Sequence, residues 1–323
     1  MAERYVTIKK GNVEMIVDRV GAQLVSYKID GVEIMYQGAL EPETHAWTAT
    51  AKNLFPNPGP VAQKGTEPET IVVNKNGKEV KQTVYTHNSG IYAMEQHGFV
   101  QSKIFDVQGH DKSSCLMTTR ADDETILEYP YQFSYHVGYE IGPHGELIYD
   151  THATNLDNKP MLAGMGWHPG FQLHNKKARY YVIFKNVKAK PGCTIPEGTK
   201  IYVDDVLNNG KAISIEGIES ADVELVMEGH GGKGITYVTM HTEEPVFLLW
   251  AKEEGMICLE PWNTTPRQIG KLTTQDKTPG LAETGAKIIE PGKTDDLKCV
   301  VSVNPRYLTA IKEHHEEDEI WQR

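Results

Sequence analysis

Three short strings hold residues that look chemical rather than architectural: MEQHGFV with His97, GMGWHPGFQL with His168, and MICLEPWNTTP with Glu260. A core strand does not end in a carboxylate unless that group is exposed or paired. Glu260 follows Ile257, Cys258 and Leu259, which places it at a strand end near a surface, and Trp262 lies two residues on. An indole beside a carboxylate suits a sugar, because the ring covers the apolar C–H face of a pyranose while the carboxylate takes a hydroxyl proton. The plain alternative is a surface glutamate before a turn. His168 has glycines around it at 164, 166 and 170, which let backbone approach a ligand closely; the alternative is a histidine satisfied in a turn. His97, between Gln96 and Gly98, is generic by itself. Two histidines and a carboxylate, each in a Gly- or Pro-flanked loop of an all-β chain, are less generic than one histidine alone.

Other chemistries lack their signatures. The chain has no GxGxxG after a strand, no GxxxxGK[ST], no GxSxG and no HExxH. The Gly-rich GHGGKG, residues 229–234, reads as a turn, and His314–His315 in the acidic tail do not make a specific metal site. Cys115, Cys193, Cys258 and Cys299 are far apart and form no CxxC, which suits free thiols in a reducing cytoplasm.

The elements that must position these residues are strands. In NVEMIV, Val13, Met15 and Val17 alternate with their neighbours, and Asp30-Gly31 and Asn76-Gly77 each mark a hairpin turn between apolar runs. QFSYHVGYEI, ELIYDTHATN, YYVIF, DVELVME, GITYVTM, VFLLWAK, MICLEP and LKCVVSV are further strand candidates, rich in Val, Ile, Tyr and Thr. Helical signals are few; one is the tail, where Leu308, Ile311 and His315 fall at helical spacing before EEDE. The expectation is an all-β, large antiparallel β-sandwich over residues 1–303 and a charged, helical tail over 304–323.

With 44 acidic against 33 basic residues and a net charge of −11, the chain of 323 residues is unsuited to a nucleic-acid or anionic-membrane surface. A neutral ligand such as a sugar is compatible with that charge. The N-terminal stretch shows no signal peptide, and no apolar run reaches the ~18 residues of a membrane span, so a cytoplasmic location is expected.

At this point the strings resemble those of the aldose 1-epimerase (galactose mutarotase-like) family. GAQLVSYKIDGVEIMYQG resembles the family's opening, Trp47 and LFPNPG its early Trp and Leu-Phe-Pro loop, and QHGF, WHPGF and CLEPW follow in the family's order. The late EPGKTDDLKCVVSV resembles its closing turn and strand, so the resemblance spans about residues 4–303. It implies a large antiparallel β-sandwich that interconverts α and β anomers of a sugar by two proton transfers, for which no metal or organic cofactor is expected. It also implies roles: His168 as general acid, Glu260 as general base, and His97 as a second histidine near the sugar's ring oxygen. Trp262 and Trp167 are counted with His97 as substrate-binding candidates. On this reading His168 is protonated when Glu260 is ionised, and the two face each other across a gap about as wide as a pyranose.

There are departures. The family's sugar-contacting arginine near the Leu-Phe-Pro loop is missing from AKNLFPNPGPV, leaving Lys52 as a replacement that supplies a point charge rather than a planar fork. The family's acidic hydroxyl-gripping residue is matched only loosely, by Asp204 or Asp205, with Asp205 taken as the candidate. The segment from Val61 to Ala93 looks longer than usual and is placed to wall the site. The resemblance leaves open a hexose-6-phosphate 1-epimerase, for which Arg267 is the arginine nearest Glu260, and a non-catalytic carbohydrate-binding protein.

Overall fold

The structure is a computed structural model that describes residues 3–38, 51–59, 69–75, 77–87, 90–191, 193, 195, 197–229, 234–264 and 286–321. Trp47, residues 61–68, residues 230–233 and Arg267 lie outside the described residues, as do the side chains of His314 and His315.

Alternating strands build the sandwich. A nine-stranded sheet runs, from edge to edge, through Lys200–Tyr202, Tyr180–Ala189, Ile218–Glu228, Gly234–Thr242, Thr294–Val303, Leu147–Asn155, Phe133–Ile141, Ser114–Arg120 and Asp106–His110. Its inner face is lined with aromatics, because period-2 alternation sends Tyr135, Tyr149 and Phe184 the same way as their cross-strand partners. Opposite lies a six-stranded sheet ordered Ile213–Glu216, Val246–Trp250, Met256–Trp262, Gly166–His168, Lys52–Leu54, with Gly170–Gln172 also paired to Met256–Trp262. Trp167 stacks on Tyr149 with ring centroids 4.4 Å apart, Phe184 meets Phe247 edge-on, and the Tyr149 hydroxyl donates to Asn53 Oδ1 at 2.6 Å. Such ring pairs are worth ~0.5–1.5 kcal/mol beyond the area they bury, and these contacts clamp the two sheets together.

Four strands from Tyr5 to Glu33 form a meander beside them, turned at Asp30 (φ 51°) and Gly31 (φ 79°), as the Asp-Gly signal predicts. Strands Thr70–Lys75, Lys78–His87 and Gly90–Met94 form a separate three-stranded sheet whose last strand leads directly toward His97. Helix Pro305–Trp321 docks through its first turns: Tyr307, Leu308 and Ile311 are buried, and Tyr307 stacks on Tyr237 at 4.1 Å. Among the described residues no helix is long and apolar enough to cross a membrane.

One buried carboxyl gives the fold a pH signature. Glu244 is buried, and desolvation raises its pKa from the ordinary 4.5 to about 7, against the pull of Lys287 and a backbone hydrogen bond at Lys298. The folded state therefore holds this proton more tightly than the unfolded chain. Its stabilising contribution is complete below the unfolded pKa and is lost as pH rises through about 7. The shift corresponds to about 3 kcal/mol. Denaturant unfolding at acidic and mildly alkaline pH should show Glu244→Gln less weakened by alkali than the parent; parallel losses in both proteins would contradict this.

Candidate functional site

Strand register decides which side chains share the outer face of the six-stranded sheet. Lys52 lies opposite His168, Leu54 opposite Gly166, Gly166 opposite Trp262, Trp262 opposite Val246, Glu260 opposite Leu248, and Cys258 opposite Trp250. Cross-strand partners point to the same side. The face therefore carries Lys52, His168, Cys258, Glu260, Trp262 and Trp250, floored by Leu54, Val246, Leu248 and Trp262, an apolar cluster separate from the main core. The residues between them, Asn53, Trp167, Leu259, Phe247 and Leu249, point the other way and are buried in the sandwich interior.

That parity corrects the placement of Trp167. It is fully buried and stacked on Tyr149, one residue out of phase with His168, and so does not line the site. His168 sits in a short strand rather than a free loop, and Glu260 lies inside a strand that continues through Trp262. The nearby glycine also has another use than the one expected. A Cβ at Gly166 would come within 2.7 Å of the Trp262 indole, so the missing side chain makes room for tryptophan rather than ligand.

His168 and Glu260 touch, with Nε2 3.1 Å from Oε1. They do not stand a ring's width apart; admitting a pyranose requires the pair to separate. Both are almost wholly enclosed, at 4% and 1% exposure. Burial, then the nearby His97 and Lys52, pushes the His168 imidazole well below its ordinary pKa, and burial pushes the Glu260 carboxyl well above its own. The Trp262 indole partly offsets the latter by favouring the carboxylate. The expected resting ion pair is thus replaced by a pair in which desolvation favours neutral imidazole and neutral carboxyl. Either way the pair holds one proton and no net charge.

His97 completes the corner. Its ring meets those of His168 and Trp262 edge-on, with centroids 5.7 and 5.8 Å away. The Gly59 N–H donates to its Nδ1 at 2.9 Å, and the His97 backbone N–H donates to the Gly59 carbonyl at 2.9 Å, so the loop after Pro58 braces both the ring and the backbone of the histidine. With Nδ1 accepting, the neutral ring carries its proton on Nε2, and the Gln96 side-chain amide 3.1 Å from Nε2 then accepts through its oxygen. Desolvation, with repulsion from Lys52, holds its pKa down to about 3, so it is neutral throughout the physiological range.

Lys52 is brought beside the pair, as the register with His168 requires, and is itself buried. Burial lowers its pKa to about 8, against the attraction of Glu95, and its Nζ lies 3.4 Å from Gln101 Oε1. Asp205 is not brought there. It is exposed in the first turn of helix Val203–Asn209, which packs against Tyr180–Ala189 and Val246–Trp250. Among the described residues no hydrogen bond or ion pair joins it to His97, His168 or Glu260. Its neighbour Asp204 lies 3.8 Å from Arg179.

Two site residues were not found from the strings. Trp250 is half-buried and stands edge-on to His168, centroids 5.9 Å apart. Gln101 donates to the carbonyls of Gln96 and Gly98 while lying beside Lys52, and so ties the His97 loop to the cation. The tryptophan ending VFLLW, antiparallel to CLEPW, was the available signal; Gln101 had none.

A sandwich with this buried histidine–carboxyl pair on one sheet face defines a class. The aldose 1-epimerase family model matches residues 4–187, and the chain belongs to that family. Among curated proteins it is similar to the plasmid-encoded protein LacX of Lactococcus lactis subsp. lactis, 25% identical over 275 residues, covering 76% of this chain and 82% of LacX. Among solved structures it is similar to a galactose mutarotase-like protein from Lactobacillus casei ATCC 334, with a TM-score of 0.68 at 20% identity, covering 93% of this chain and 100% of the other. A galactose mutarotase related enzyme from Lactobacillus acidophilus gives a TM-score of 0.67 at 21% identity, covering 93% and 97%. These likenesses establish the galactose mutarotase-like fold.

Proposed function

We propose that the protein is a sugar 1-epimerase that interconverts the α and β anomers of an aldose by acid–base ring opening. The observation that carries this reading is the buried contact of His168 with Glu260 on a sheet face bordered by His97, Trp250 and Trp262. Mutarotation must take a proton from the C1 hydroxyl and deliver one to the ring oxygen. A pair holding one proton between a basic and an acidic site is sufficient for that. Sugar hydroxyls entering between the two groups restore polarity to the pocket and favour the charge-separated form, as the Trp262 indole already does for Glu260. Glu260 then removes the O1 proton while His168 protonates O5, the C1–O5 bond opens to the aldehyde, C1–C2 rotates, and the reverse transfers close the ring. His97 Nε2–H, which lies 3.1 Å from the Gln96 side-chain amide, is a neutral donor that a sugar oxygen would take over from that amide. Trp262 and Trp250 supply apolar area for the pyranose C–H faces.

Polarimetry or exchange NMR on freshly dissolved anomers tests this directly. Folded protein that accelerates no member of an aldose panel would refute it.

Lys52 is assigned to binding. Its ammonium gives charge-assisted hydrogen bonds to sugar oxygens in a desolvated corner, each worth ~1.5–3 kcal/mol. Lys52→Met is expected to raise KM about 10- to 100-fold with little change in kcat. A fall confined to kcat would place Lys52 in the proton transfer instead. The same cation favours a second reading in which the aldose carries a phosphate. Strong competition by hexose 6-phosphates against the neutral sugar would mark that case.

A further inference from the structure

Cys258 lies on the same sheet face as the acid–base pair, two residues before Glu260, and the proposed proton transfers do not use it. Its Sγ, a ring nitrogen of His168 and a carboxylate oxygen of Glu260 all lie within 4.8 Å of one another. All three residues are buried. We propose that this triad is a binding site for a thiophilic divalent cation of the zinc type, and that such a cation inhibits the protein by occupying the place where sugar must enter.

The geometry is close to what tetrahedral zinc requires. Bonds of about 2.0–2.1 Å to nitrogen and oxygen and about 2.3 Å to sulfur put neighbouring donor atoms roughly 3.3–3.6 Å apart. The His168–Glu260 edge already measures 3.1 Å, and the edges to sulfur need at most a contraction of about an ångström to reach that range. Strand register supplies the arrangement: Cys258 and Glu260 alternate on one strand, and His168 comes from the strand beside it. Charge balance also favours the ion. A dication held by one thiolate, one carboxylate and one neutral imidazole sums to zero, while the displaced thiol and carboxyl protons leave to solvent. A buried site of net charge zero avoids the cost of an isolated buried ion. The donor set is one imidazole, one sulfur and one oxygen. Magnesium and calcium, which take oxygen ligands, are disfavoured, and zinc, cobalt and copper are accepted. Three protein ligands leave the fourth position to water, a pattern shared by many zinc sites.

Metal binding is independent of the enzymatic reading; only the inhibition rests on it. Cobalt(II) added to the full-length chain reads the site through thiolate-to-metal charge-transfer absorption. The band is expected in the parent, to disappear in Cys258→Ser, to persist in Cys193→Ser, and to bleach when zinc is titrated in. Absence of the band from the parent, or its survival in Cys258→Ser, overturns the proposal. Should Cys258→Ser fail to fold, Glu260→Gln decides: a loss of cobalt affinity beyond about 10-fold supports the site, since even supporting partners of metal ligands contribute that much, and unchanged affinity refutes it. In the anomer assay zinc should compete with sugar. If the band has these properties while zinc leaves a measurable anomer rate untouched, the inhibition is refuted and the proton-transfer roles of His168 and Glu260 fall with it; the cation site stands.

Discussion

Glu260→Gln is expected to slow anomer interconversion by about 10²–10⁴-fold, the usual worth of a positioned acid or base. The substitution keeps the shape and the hydrogen-bonding reach of the side chain but removes its capacity to exchange a proton. It therefore isolates chemistry from packing at a residue that is 1% exposed. His168→Gln should lose a similar amount. The informative measurement is the double variant. Because the pair holds one proton between two atoms 3.1 Å apart, losing either partner disables both transfers. The double variant should therefore be no slower than the worse single by more than a small factor, as is found when residues act as a unit. Multiplicative losses would show two independent contributions and would remove the shared-proton mechanism. KM for the sugar should change little in Glu260→Gln, since the indole and Lys52 contacts persist.

The parts of this site that could be read in the chain were its residue types; what could not be read was their phase. WHPGF announces a histidine, but Trp167 and His168 are adjacent in a strand, so only one of them can share a face with Lys52 and Glu260. Reading the string as a loop hides that constraint and admits both. MICLEPW similarly reads as a strand that ends at Glu260, whereas the strand runs through Trp262 and sets Cys258, Glu260 and Trp262 on one face. Lys52 became meaningful only through its register opposite His168. Trp250 was hidden because its partner strand is paired across a turn whose register no local signal fixes. The hairpins were easier, because Asp30-Gly31 encodes its turn locally through positive φ. Asp205 failed for the opposite reason: YVDDVL carries acidic residues because they begin a short helix, where negative charge is favourable whatever the function.

Gly98 has a structural role that can be separated from its conformation. Its φ is +76°, and a methyl group there would overlap the Phe55 carbonyl. Phe55 cannot yield easily, because it is fully buried and stacked on Tyr135 at 4.7 Å, with Phe133 and Phe99 against it. Gly98→Ala therefore incurs about 1–2 kcal/mol for the left-handed backbone and a further ~1–3 kcal/mol for displacing a packed core. The expected loss is about 2–5 kcal/mol of folding stability. Gly77 provides the control: its φ is +81°, yet nothing lies within 4 Å of the position a Cβ would take. Gly77→Ala should lose only the backbone share, about 1–2 kcal/mol. Urea unfolding of both variants measures the difference, and equal losses would show that the crossing of Phe55 over Gly98 is not tight. Because His97 precedes this glycine and is braced by Gly59, Gly98→Ala should also weaken sugar binding in whatever fraction remains folded, whereas Gly77→Ala should leave it alone.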